Sequence, residues 1–181
     1  ECTQLMARSC WLWPGGRGGV IAGPVLLWMP GTTTDGEPGW PSGWTVPTWP
    51  RDYGGGGLSH EEAAVLREEM TALACRAPLQ SFGIWMLGPA LLKYGNEAQK
   101  QKYLTPLARG QAIGAYCLTE PNAGSNAANQ QTTAVADGDH YVLTGTKLFV
   151  TNAGPADTLM VYAATDRSLG PRGISAFIVE A

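Results

Sequence analysis

With 181 residues, a formal net charge of −3, 44% hydrophobic and 15% charged residues, the chain is long enough for one domain or two small ones and apolar enough to pack a core. Its Lys and Arg residues are scattered, which excludes the cationic stripe that binding to nucleic-acid phosphates requires. Cys2, Cys10, Cys75 and Cys117 are widely spaced, with no CxxC pair and only His60 and His140 as imidazoles, so no metal site or disulfide framework is expected.

Residues 1–42 are rich in Gly, Pro and Trp, show no sustained helix or strand period, and are left unassigned. A turn-rich linker and a start read out of frame both account for that composition. The apolar stretch from Val20 to Met29 is interrupted by Gly23 and Pro24 and falls short of the roughly 20 residues a bilayer needs, so no membrane span is expected. Glu1 opens the chain, without the basic, apolar and small-residue succession of a secretory signal, and a fragment or processed chain is expected.

The run Gly54 to Gly57 has no following Lys-Ser/Thr pair and reads as a flexible turn rather than a phosphate loop. Ser59 and Glu62 then form a capping-box pattern that predicts a helix start, with Leu66, Met70 and Leu73 on its packing face and Ala77-Pro78 as its end. Ser81 to Tyr94 reads as a helix apolar on most sides, with Trp85 and Met86 assigned to core packing in preference to an acyl pocket, and Gly95 as its stop. Asn96 predicts the cap of a polar third helix that Pro106 disrupts or restarts. Three successive helices imply part of an antiparallel bundle.

From Ala112 onward β-branched and aromatic residues cluster between turn formers, and strands are predicted over Ile113–Leu118, Thr132–Ala136, Tyr141–Thr144, Lys147–Val150, Leu159–Ala164 and Ile174–Val179. The expected fold class is α+β: a partial N-terminal α-helical bundle over residues 43–111, then an antiparallel sheet over 112–181.

The stretch most suggestive of chemistry is Ala115-Tyr116-Cys117-Leu118-Thr119-Glu120-Pro121-Asn122-Ala123-Gly124-Ser125-Asn126, a strand entering a turn rich in small polar residues. Gly124 admits a close approach to the backbone, and Thr119 and Ser125 offer hydroxyls, which suits a phosphorylated planar cofactor. A solvated turn chosen for backbone preference accounts for the same residues, and chemistry alone leaves the two open. Cys117 should point into the core, away from its neighbours' face. His60 and His140 read as surface residues, and Glu120, at a strand-to-turn junction, as structural.

This stretch resembles the signature of the acyl-CoA dehydrogenase family, and a second stretch similar to a family motif, Lys147-Leu148-Phe149-Val150-Thr151-Asn152, follows it. The similarity extends through Gly43-Trp44, Thr48-Trp49-Pro50-Arg51-Asp52-Tyr53-Gly54-Gly55, Tyr94-Gly95-Asn96-Glu97-Ala98-Gln99-Lys100 and Arg172-Gly173-Ile174-Ser175-Ala176-Phe177-Ile178-Val179-Glu180. It covers roughly residues 43–181.

The resemblance implies an N-terminal helical domain, a barrel-like middle β domain, and FAD held between that domain and a second helical domain absent from the chain. Two neighbouring β segments, ending at Thr119 and Thr151, would together hold the isoalloxazine. Tyr116, Leu118 and Thr119 would lie along the flavin ring, Gly124 and Ser125 near the pyrophosphate, Phe149 and Val150 against the ring, and Thr151 near the nitrogen that accepts hydride. Ser125 is also the substrate-binding candidate. Two departures stand out: Phe149 where tryptophan is frequent, and Asn126 where aspartate is common. The implied reaction is α,β-dehydrogenation of an acyl-CoA thioester, with electron-transfer flavoprotein as oxidant, in a homo-oligomer of the bacterial cytoplasm or mitochondrial matrix. The catalytic base is expected beyond Ala181, so no catalytic residue is named and the chain alone should be inactive. A flavin oxidase or monooxygenase on the same scaffold, and a non-catalytic truncated module, are the alternatives.

Overall fold

The computed structural model describes residues 31–32, 38–39, 43–74 and 81–181. The expected helix end at Ala77-Pro78, the apolar stretch from Val20 to Met29, and Cys2, Cys10 and Cys75 lie outside the described residues, as does nearly all of the unassigned segment 1–42. Within that segment, β1 (Gly31–Thr32) pairs antiparallel with β2 (Pro38–Gly39). The chain divides into two compact units, residues 1–80 with 104–111 and residues 81–103 with 112–181. Among the described residues, no helix is long and apolar enough to cross a membrane.

In the first unit, the glycine run is pinned rather than loose. Val46 and Trp49 are buried, and Gly57 donates to the Trp49 carbonyl at 2.9 Å while Leu58 donates to Pro47 at 2.9 Å. A Cβ on Gly55 would run into the backbone of Trp49, so a side chain is sterically barred there. Helix α1 (His60–Ala72) begins where Ser59 and Glu62 exchange hydrogen bonds, Glu62 N–H to Ser59 Oγ at 3.1 Å and Ser59 N–H to Glu62 Oε2 at 2.8 Å. These satisfy two donors that the first helical turn leaves free. The predicted packing face is only partly used: Ala63 is buried, Leu66 and Met70 are half-buried, and Leu73 is exposed.

In the second unit, the apolar stretch after Ser81 is a π turn over Gly83–Leu87 continuing into helix α2 (Gly88–Tyr94). Leu87 and Leu91 are buried, but Trp85, Met86 and Tyr94 are exposed, against the expectation of burial all round. The wider π turn carries Gly83 onto the backbone of Gly114, where a Cβ would sit 2.7 Å from the Gly114 Cα. Gly95 closes α2 by donating to Leu91 at 2.8 Å. Helix α3 (Glu97–Ala108) starts with a second reciprocal cap, Gln99 N–H to Asn96 Oδ1 at 2.9 Å and Asn96 N–H to Gln99 Oε1 at 3.0 Å. It passes through Pro106 instead of breaking there, and ends two residues later at Ala108.

Five strands follow: β3 (Gly114–Cys117), β4 (Thr133–Asp137), β5 (His140–Thr144), β6 (Thr158–Ala164) and β7 (Ile174–Glu180). The fold is α+β as expected, but the sheet is mixed and open, not an antiparallel barrel. β3 runs parallel to β6 from Gly114 opposite Thr158 to Cys117 opposite Val161, and Thr133 of β4 pairs parallel with Ala164. The antiparallel pairs are β4 with β5 and β6 with β7. β6 therefore carries β7 along one edge and, on the other, β3 followed by the start of β4. The intervening chain from Leu118 to Asp157 is long enough for the crossover that parallel pairing demands.

The predicted strand over Lys147–Val150 does not form. Phe149 adopts φ 55° and Asn152 φ 65°, which bends the segment into a hook, and a bulky side chain at positive φ cannot belong to an extended strand. The turn signal at Asp137-Gly138 worked as read, since Gly138 has φ 63° and joins β4 to β5. The similar signal at Thr144-Gly145 leads into the hook, not into another hairpin.

Candidate functional site

β3 delivers the first motif. Asp157 fixes its start, accepting the Ile113 N–H on Oδ2 at 2.7 Å and donating its own N–H to the Ile113 carbonyl at 2.8 Å. Tyr116 is half-buried in the strand, and its hydroxyl donates to the Tyr162 hydroxyl at 3.0 Å. Burial, followed by this contact, holds the Tyr162 phenol well above its ordinary pKa. Cys117 is buried, as expected, and burial pushes its thiol up despite the nearby Lys147 charge. Leu118 and Thr119 lie just beyond the strand, both half-buried.

At Glu120 the chain turns back, pairing with Ala123 through reciprocal backbone bonds of 3.1 Å. The Glu120 side chain is 2% exposed, and the Lys147 Nζ lies 2.7 Å from its Oε1. The Thr132 N–H also donates to Oε1, at 3.1 Å, and the Gln131 N–H donates to Oε2. The same ammonium donates to the Leu118 carbonyl at 3.1 Å and to Gln130 Oε1 at 2.9 Å. All three ammonium donors are therefore matched. Burial alone would raise the Glu120 carboxyl, but bonds from Lys147, Thr132 and Gln131 outweigh it and hold the pKa down to about 2.

This ion pair joins the two motifs, and sequence reasoning placed both residues within motifs without foreseeing the contact. Immediately after Lys147, the Leu148 N–H donates to the Thr119 carbonyl at 2.8 Å. Leu118 and Thr119 are thus brought beside the hook that carries Phe149, Val150 and Thr151. Phe149 is 89% exposed, Val150 half-buried and Thr151 exposed. Gly124 and Ser125 stand in an exposed turn, where a Cβ on Gly124 would meet nothing within 4 Å. Gly124 has no internal steric reason to be glycine. Asn126 precedes a short 3-10 turn over Ala127–Asn129 without capping it through its side chain.

The site therefore combines an uncovered aromatic ring, half-buried apolar and hydroxyl side chains at a strand end, and an uncrowded glycine turn. It offers surface to a flat, polar-edged group but no charged acid or base poised for proton transfer. Glu120 is buried and engaged on both oxygens.

Residues 40–111 match the acyl-CoA dehydrogenase N-terminal domain and residues 115–181 the acyl-CoA dehydrogenase middle domain. A short-chain-specific acyl-CoA dehydrogenase of Clostridium acetobutylicum is 47% identical over 131 residues, covering 72% of this chain and 35% of that protein. The solved butyryl-CoA dehydrogenase of Megasphaera elsdenii is 38% identical with a TM-score of 0.62, covering 76% of this chain and 37% of the other. A solved prolyl acyl carrier protein oxidase is 36% identical with a TM-score of 0.66, over 76% and 37% of the two chains. The chain spans about a third of the length of these relatives. With both motifs in place on a matching fold, and with these relatives, the chain belongs to the acyl-CoA dehydrogenase family.

Proposed function

We propose that this chain supplies the N-terminal helical part (residues 43–111) and the middle sheet part (residues 112–181) of an FAD-dependent enzyme that dehydrogenates an acyl-CoA thioester between its α and β carbons. The observation that carries this is the fastening of the two motifs by the Lys147–Glu120 pair and the Leu148–Thr119 bond, beside an unshielded Phe149 ring. The residues fit a flavin: the Phe149 ring presents an apolar face to solvent, and the unobstructed Gly124 leaves space for a phosphate beside the backbone.

In this proposal Tyr116, Leu118, Thr119, Phe149, Val150 and Thr151 would hold the ring, and Gly124 and Ser125 the pyrophosphate, with Ser125 also within the substrate's reach. When bound, the flavin supplies the acceptor for hydride. The chain's own part is to bind and orient. Phe149, Leu118 and Val150 exclude water from the ring, and the Thr119 and Thr151 hydroxyls offer donors to its polar edge. No base is assigned within residues 1–181, and residues 1–181 are proposed to be inactive alone. Electron-transfer flavoprotein as oxidant, a homo-oligomeric state, and residence in the bacterial cytoplasm or mitochondrial matrix complete the proposal. Relatives from a bacterium and from mitochondria support the last point.

A test compares residues 43–181 with the product of the complete gene for flavin absorbance and for anaerobic bleaching by acyl-CoA. Bleaching of the complete protein alone is the expected result, and a colourless complete protein indifferent to acyl-CoA overturns it. The oxidase relative favours one second reading, in which oxygen reoxidises the flavin. Stopped-flow mixing of the reduced enzyme with oxygen separates the two, since an oxidase turns over with oxygen alone.

A further inference from the structure

We infer that the buried Glu120–Lys147 pair is a positioning device: it holds the hook at residues 147–152 in a strained shape that turns Phe149 outward to meet the flavin. The inference rests on the flavin reading for what the hook presents, and on geometry alone for what holds it.

Phe149 carries φ 55°, a conformation disfavoured for bulky residues, and its ring is 89% exposed, so no burial of its own repays that conformation. Something else must impose it. On the N-terminal side, Lys147 is anchored at three acceptors, Leu118 and Glu120 at the end of the first motif and Gln130 ten residues further on. The next residue, Leu148, is tied to Thr119. On the C-terminal side, Ala153 donates to the Val150 carbonyl at 3.3 Å and Asn152 takes a second positive φ. The hook is therefore clamped at its root, and its tip is left free to contact a ligand. The charge pair is shielded from solvent, with the Lys147 and Glu120 side chains 10% and 2% exposed, which leaves little of either for a ligand to touch. Their action on binding passes through the backbone of residues 147–149.

The test uses the protein expressed from its complete gene. The double variant E120Q/K147M removes both charges together and spares the fold an unpaired buried ion. In flavin-free protein, amide hydrogen exchange at residues 147–152 is expected to quicken at least tenfold while β6 and β7 keep wild-type protection. The FAD dissociation constant is expected to rise at least tenfold, and adding F149A to the double variant should weaken FAD binding far less than F149A does alone. Wild-type exchange at the hook, or full additivity with F149A, overturns the inference. Should the double variant not fold, E120Q alone carries the same comparison: at least threefold faster exchange at the hook supports the inference, and wild-type exchange refutes it. A wild-type protein that takes up no FAD refutes the flavin reading, and hydrogen exchange still decides whether the pair holds the hook.

Discussion

Lys147 and Glu120, 27 residues apart in sequence, meet at 2.7 Å in an environment closed to solvent, and their meeting fastens both motifs of the site to one point. Breaking one side leaves the other as an unpaired buried charge. Lys147→Met is expected to lower unfolding free energy by about 3–5 kcal/mol, measured by urea denaturation. The E120Q/K147M double variant should lose distinctly less than the sum of the two single changes.

Acid should act on the same pair. The Glu120 carboxyl is held down to about 2 in the fold, against an ordinary value of 4.5. A depressed carboxylate contributes stability in full above its unfolded value, and that contribution disappears as pH falls from about 4.5 toward 2. The amount at stake is about 3 kcal/mol, on the order of magnitude set by the shift. Urea midpoints of wild type and E120Q measured from pH 6 to pH 2.5 should converge as the pH falls, and parallel curves would refute the assignment.

Phe149 separates stability from binding. An exposed ring contributes little to folding, and glycine adopts positive φ without steric cost, so Phe149→Gly should leave the melting temperature unchanged or slightly raised. FAD affinity should fall about tenfold, following loss of roughly 1–1.5 kcal/mol of aromatic contact. Calorimetric melting of the flavin-free protein and fluorescence titration with FAD check the two halves.

Gly83 meets the strand that carries the first motif. A Cβ there would lie 2.7 Å from the Cα and 2.9 Å from the nitrogen of Gly114, both backbone atoms that cannot swing aside. Gly83→Ala is expected to destabilise by about 1–3 kcal/mol, the range for overpacking, in chemical denaturation. The unrelated Gly138→Ala, in a hairpin turn with open space, should cost less and act only through its φ of 63°.

The Ser59 cap offers a local control. Ser59→Ala removes the acceptor for the Glu62 N–H and should cost about 1 kcal/mol, with faster amide exchange confined to the first turn of α1.

Local chemistry made much of the fold legible. Ser59 with Glu62, and Asn96 with its following turn, announced two helix starts because a cap is satisfied within four residues. Asp137-Gly138 announced the β4–β5 turn for the same reason. What escaped depends on distant partners. The parallel pairing of Tyr116 with Met160 leaves no trace in either strand's own pattern, and the apolar run through Trp85 and Met86 gave no hint that a π turn leaves both exposed. Leu148-Phe149-Val150 has the composition of a strand, and the contacts that accompany its bend, Lys147 with Glu120 and Leu148 with Thr119, join residues far apart in sequence. At the site, the motifs named the residues but not the clamp between them; that required knowing that Glu120 and Lys147 share an interior.

The placement of β6 between β7 on one side and β3 and β4 on the other has a consequence for the order in which this region can assemble. A nascent chain emerging from the ribosome presents Thr119 and Phe149 before Thr158 to Ala164 exist to receive β3 and β4. Until that late template arrives, β3 lacks the strand it runs beside, so the sheet part of the proposed cofactor site would form only once residues 158–164 have been made.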